Sequence, residues 1–144
     1  MPVGKRIDGM KNTDLLNQDN LRKSDPLKSG PLTINVFTYG IRVTGQVLSA
    51  DVVFDCRCLR NPHKEAKGKT GYDDAVRAMV RQSPSYDQHL QSTFKAIVGK
   101  LSEGTRTVSV GVFCTWGIHR SVAFALDLRD QLEAAGYYVE LRHL

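Results

Sequence analysis

The chain has one tryptophan, three cysteines and no apolar run approaching the length of a membrane span, and each scarcity excludes a class of protein. A helix needs about 20 consecutive apolar residues to cross a bilayer, so no membrane partner is expected. The N-terminus is polar from Lys5 onward and lacks the apolar segment of a secretory signal, which points to a cytoplasmic protein. Cys56, Cys58 and Cys114 cannot all pair with one another. Cys56 and Cys58 stand two apart in an expected strand, too close for an ordinary disulfide and without zinc-site spacing, so three reduced thiols are expected. His63, His89, His119 and His143 form no cluster in the sequence. No metal and no cofactor are therefore expected, and His89 is expected on the solvent side of its helix.

At 144 residues there is room for one compact domain. The net charge is +5 with an isoelectric point near 9.2, which suits nucleic acid but does not select it, because the excess is spread along the chain. Residues 1–30 carry six basic against four acidic residues, are rich in Asn, Asp, Ser and Gly, and show no sustained apolar period. They read as a disordered or mobile N-terminal tail. The folded domain is expected over residues 31–144.

From Leu32 the pattern changes. Leu32 to Tyr39 alternates apolar and polar residues and closes on Gly40, and Asp51 to Arg57 reads as a second strand. Asp73 or Asp74 caps a helix through Val76, Met79 and Val80. Ser83-Pro84 reads as a cap followed by proline at the first helical position. Tyr86, Leu90, Phe94, Ile97 or Val98, and Leu101 form the core face of that second helix. Residues 107–114 make a third strand. A helix from about His119 to Ala135 turns Val122, Leu126, Leu132 and Ala135 inward and ends at Gly136, and Tyr137 to Leu144 makes a last strand. Strands interleaved with helices predict a three-layer α/β sandwich around a small, mostly parallel four-stranded sheet.

In such a sheet ligands collect at the carboxyl ends of the strands. That edge would gather Tyr39-Gly40, the segment Cys56 to His63, and Cys114-Thr-Trp-Gly-Ile-His-Arg-Ser121. The last is a short loop between a buried strand and a helix start, a natural anion site. Arg120 supplies a planar fork for phosphate, and Thr115 and Ser121 supply hydroxyls. Asp55, Arg57, Arg60, Asn61 and His63 crowd the second segment, although an ordinary surface loop explains Arg60, Lys64 and Lys67 equally well. Gly68-Lys69-Thr70 mimics the end of a nucleotide-binding P-loop, but His63 stands where the earlier glycine is required.

Cys114, five residues, Arg120, then Ser121 is also the arrangement of cysteine-dependent phosphatases, in which a thiolate attacks phosphorus held by the loop and the Arg. Such an enzyme needs an acid, for which Asp55 or Asp73 is the candidate. Spacing alone leaves this reading level with a Cys114 that merely ends a buried strand.

The segments Val53-Phe-Asp-Cys-Arg-Cys-Leu-Arg-Asn-Pro-His63, Lys69-Thr-Gly-Tyr-Asp73 and Cys114 to Val122 resemble, in order and spacing, the C-terminal domain of the RapZ family of RNase adapter proteins. Val139-Glu-Leu-Arg-His143 resembles that domain's closing strand, and the likeness spans roughly residues 32–144. The resemblance implies a domain that binds an amino-sugar phosphate such as glucosamine 6-phosphate, as a sensor or adapter working with a small RNA and a ribonuclease. By position the ligand pocket would involve Asp55, His63, Thr70, Gly71, Cys114, Thr115, Gly117, His119 and Arg120, with Arg57, Asn61, Trp116, Ile118 and Ser121 beside them. The family's N-terminal nucleotide-binding domain is not matched, so nucleotide hydrolysis is not carried over. Trp116 stands where the family usually has glycine and adds an apolar wall or lid. The Lys/Arg-rich tail linked to RNA binding is not matched either, which ranks an RNA or ribonuclease partner behind a phosphorylated small molecule.

Overall fold

The computed structural model describes residues 32–62 and 64–144. The expected tail, residues 1–30, and His63 lie outside the described residues. In chain order the elements are β1 (Thr33–Gly40), a one-turn α1 (Ile41–Thr44), β2 (Val52–Asp55), α2 (Asp74–Arg81), α3 (Tyr86–Ser102), β3 (Thr107–Cys114), α4 (Arg120–Ala134) and β4 (Tyr138–His143). The four strands form one sheet in the order β2-β3-β1-β4, and every pairing is parallel. This is the expected α/β class, with the sheet wholly parallel.

Strand order and chirality explain the layers. The crossovers β2→β3 and β3→β4 run in one direction across the sheet, whereas β1→β2 runs the other way. Right-handed connections then put α2, α3 and α4 on one face and the β1–β2 segment on the other. The burial pattern agrees. Ile34, Val36, Val52, Val108, Val110, Val112 and Val139 point to the helical face and join Val76, Leu90, Ile97, Phe124, Leu128 and Leu132 in one core. Phe124 of α4 stacks on Phe54 of β2 at 4.4 Å between ring centroids and meets Tyr86 edge-on at 5.7 Å. On the other face Phe37, Tyr39 and Phe113 stack in series. The connection closes over them with the Leu48 amide donating to the Tyr39 hydroxyl at 2.8 Å.

Several local expectations are corrected. The second strand stops at Asp55, because that carboxylate accepts the Arg57 amide and starts a 3-10 turn over Cys56–Cys58. The two cysteines therefore leave the sheet. Of the two expected candidates it is Asp73 that caps α2, as expected, accepting the amides of Ala75 and Val76. Ser83-Pro84 does not open the next helix, which starts at Tyr86. The Ser83 hydroxyl instead donates to the Val80 carbonyl and accepts the Arg60 amide, which ties the turn after α2 to the segment after β2. Ala135 follows the end of α4 as its half-buried C-cap and takes no place in the core. His89 does not face open solvent. Its half-buried ring packs on Phe54 at 5.3 Å, and its Nε2 lies 3.9 Å from the Cys58 Sγ.

Candidate functional site

Because all strands run the same way, Gly40, Asp55, Cys114 and His143 end at one edge of the sheet. The loop 115–119 turns there from β3 into α4. Gly117 takes φ 77°, in the left-handed region that favours glycine. A Cβ on Gly117 would lie 2.5 Å from the Gly40 amide nitrogen, and one on Gly40 would lie 2.2 Å from the Trp116 carbonyl carbon. The end of β1 and the loop thus meet backbone to backbone, a contact that a side chain on Gly40 or Gly117 would block. The Arg42 amide, donating to the Thr115 carbonyl at 3.0 Å, fastens the same seam.

A second segment seats on the loop from the helical side. The Gly71 amide donates to the Ile118 carbonyl at 2.8 Å, and a Cβ on Gly71 would fall 2.5 Å from the Ala123 nitrogen. The Lys69 carbonyl lies 2.7 Å from His119 Nε2, so that nitrogen carries the proton and donates. Thr70 is exposed and its hydroxyl accepts the Tyr72 amide. Tyr72 in turn contacts His143 Nε2 at 2.8 Å, while His143 Nδ1 pairs with the buried Thr38 hydroxyl at 2.6 Å. Burial, and secondarily the charge of Arg129, hold the His143 imidazole below its ordinary pKa.

Between these seams lies a cleft of about 240 Å³ lined by Asn61, Cys114, Thr115, Trp116, Ile118, His119 and Arg120. Arg120 is the first residue of α4 and only 8% exposed. Its Nη1 donates to the carbonyls of Arg57 at 3.1 Å and Leu59 at 3.4 Å, and its Nη2 donates to the Thr115 hydroxyl at 3.1 Å. Among the described residues the Nε–H has no such partner, and Nη2 makes only the bond to Thr115. The amides of the first turn of α4 lack intrahelical acceptors and point toward the same end. Buried Cys114 receives the Gly117 amide on Sγ at 3.3 Å and donates to the Ser121 hydroxyl at 3.2 Å.

The residues after β2 are only partly drawn in. Asn61 lines the cleft, and Arg57 and Leu59 contribute carbonyls. The Arg57 side chain turns away, pairs with Asp55 through Nε and Nη2 at 2.7–3.1 Å, and lies over the Phe113 ring. Partial burial pushes the Asp55 carboxyl up, but the hydrogen bonds and charge of Arg57 outweigh it, so Asp55 sits below the ordinary carboxylate value.

Sequence reasoning missed the polar cluster beneath the site. Asp127, on the inner face of α4, accepts from Arg77, Arg81 and the Tyr86 hydroxyl at 2.6–2.8 Å. Burial raises its pKa, but the bonds from Arg81, Tyr86 and Arg77 overcome this and hold it at about 2. A carboxylate between Leu126 and Leu128, and two arginines one helical turn apart in α2, were the visible signal. The cluster bolts α2 and the start of α3 to the helix that carries the loop.

The RapZ C-terminal domain pattern matches residues 32–144. Among curated proteins, the chain is 34% identical to a nucleotide-binding protein of Thermotoga sp. (strain RQ2), covering 81% of this chain and 43% of that one. It is 39% identical to a nucleotide-binding protein of Limosilactobacillus reuteri (76% and 40%) and 35% identical to one of Ruegeria pomeroyi (99% and 54%). The chain thus spans about half the length, or less, of these relatives. Among the described residues, no helix is long and apolar enough to cross a membrane.

Proposed function

The chain belongs to the RapZ C-terminal domain family, and on that premise we propose that it binds a phosphorylated small molecule, an amino-sugar phosphate such as glucosamine 6-phosphate, in the Arg120 cleft. One observation carries this reading: a nearly buried guanidinium at the N-terminus of α4 that lines the cleft, held by two carbonyls and the Thr115 hydroxyl, with its Nε–H unpartnered among the described residues. A guanidinium so held loses little freedom on meeting an anion, and its planar edge matches two phosphate oxygens. The α4 amides add donors where the helix dipole favours negative charge. Asn61 and His119 bring polar groups to the same cleft for hydroxyls or an amine. A cleft of about 240 Å³ has room for a phosphate and a small ring attached to it.

The same geometry favours binding over hydrolysis. A cysteine phosphatase needs a protonated acid free to meet the leaving group. Asp73 is spent capping α2, and Asp55 is held ionised by Arg57. In this reading the domain acts as a sensor or adapter, with ligand occupancy read by an RNA or ribonuclease partner. Calorimetric titration tests the reading: glucosamine 6-phosphate binds and unphosphorylated glucosamine does not. Equal affinity for the two would discard the phosphate assignment.

A further inference from the structure

We propose that Trp116 is the specificity-determining residue of the cleft, a stacking platform that selects phosphates carried on a pyranose ring over phosphates carried on an open chain. The inference rests on the phosphate reading of the Arg120 cleft and adds what lies beyond the phosphate. Trp116 is the single tryptophan of the chain, 55% exposed, and lines the cleft. Ile118, 44% exposed, lines it too. Two large apolar side chains thus flank the turn at Gly117 on the wall of a site whose floor is cationic. A phosphate alone uses neither of them.

The Trp116 backbone is fixed, since a Cβ on Gly40 would lie 2.2 Å from its carbonyl carbon. The Arg42 guanidinium lies 5.8 Å from its ring centroid, and the Arg42 amide is tied to Thr115 next door. With Arg42 over the ring on one side, the half-exposed indole offers a ligand the flat apolar face of a ring with a negative quadrupole. That face attracts the slightly positive C–H surface of a sugar ring and, more strongly, a protonated amine on it.

Trp116 stands two residues after Cys114 in the loop and lines the same cleft as Arg120, so a ring carried on the bound phosphate meets the indole in that cleft. The choice of a pyranose over a nucleobase follows the proposed ligand, and the adenosine monophosphate arm of the test decides it.

The unique tryptophan makes the test direct. The full chain and its Trp116→Ala and Trp116→Phe variants are titrated by calorimetry with glucosamine 6-phosphate, glycerol 3-phosphate, adenosine monophosphate and inorganic phosphate. Indole emission of the unsubstituted chain is followed in parallel. Glucosamine 6-phosphate should bind roughly tenfold tighter than glycerol 3-phosphate, the upper range for one aromatic contact, and should shift the indole emission. Trp116→Ala should bring that ratio close to one, and Trp116→Phe should restore most of it. An unchanged ratio in Trp116→Ala, or emission that does not move at saturation, overturns the platform while leaving the phosphate site standing. Preference for adenosine monophosphate overturns the choice of a sugar ring. A chain that binds none of the four overturns the phosphate site and the platform together.

Discussion

Replacing Arg120 should damage two properties at once, and the two can be measured separately. The guanidinium makes three hydrogen bonds across the sheet edge, to the Arg57 and Leu59 carbonyls and the Thr115 hydroxyl. Hydrogen bonds from a charged donor contribute about 1.5–3 kcal/mol each, but water from the open cleft would replace part of them, so Arg120→Ala should cost about 2–4 kcal/mol of stability. For a domain of this size that lowers the melting temperature by roughly 10 °C. Arg120→Lys keeps the charge and loses the fork. It should recover part of the stability through one carbonyl contact, yet bind sugar phosphate at least about tenfold more weakly than the unsubstituted chain. Differential scanning calorimetry reads the first effect and isothermal titration the second, on protein folded at the titration temperature. An unchanged melting temperature in Arg120→Ala would refute the bracing role. A lowered melting temperature with undiminished affinity would refute the anion role and leave the brace intact.

Cys114→Ser should retain most of the affinity for sugar phosphate, and the unsubstituted chain should not turn over an aryl phosphate between pH 5 and 8; turnover that vanishes in Cys114→Ser would establish a phosphatase instead. Asp127 has its folded pKa depressed to about 2 from 3.8, so its contribution to stability is full above about pH 4 and is lost as the pH falls through about 2. By linkage the loss is about 2 kcal/mol. Asp127→Asn should flatten that part of the acid-unfolding profile while lowering stability at pH 7, and a profile identical to that of the unsubstituted chain would contradict the cluster's role. Nucleic-acid binding by the scattered basic residues should weaken roughly a hundredfold between 50 and 200 mM salt if about four phosphates are contacted. Tight binding to one structured RNA at 200 mM salt that survives deletion of residues 1–30 would reveal a specific RNA surface on the folded domain.

The alternation of strands and helices, and hence the α/β class, was legible in period and punctuation alone. So was the strand–loop–helix at Cys114 to Ser121, because an apolar run, a glycine-bearing loop and an amphipathic stretch are local features. The family likeness was legible too, since order and spacing are properties of the chain. What a local pattern does not carry is which polar groups meet. Arg57 appeared beside the ligand residues, but its side chain belongs to Asp55 and Phe113, and only its carbonyl reaches Arg120. Ser83 and Pro84 have the composition of a helix start, yet the Ser83 hydroxyl is drawn off to Val80 and Arg60, a partner 23 residues away. Cys58 and His89 come from distant elements and meet only because α3 packs on β2. The sequence by itself determined the order of strands and helices, the strand–loop–helix at Cys114 to Ser121 and the place of Arg120 in it. The tertiary structure decided that Gly40, Gly71 and Gly117 let two segments close on that loop, that Asp73 and Asp55 are already engaged, and that the Arg120 guanidinium is braced by carbonyls from the segment after β2. The physical reason is that propensity and periodicity act over a few neighbouring residues, whereas hydrogen-bond satisfaction and close backbone approach are settled by whatever the fold brings within about 3 Å.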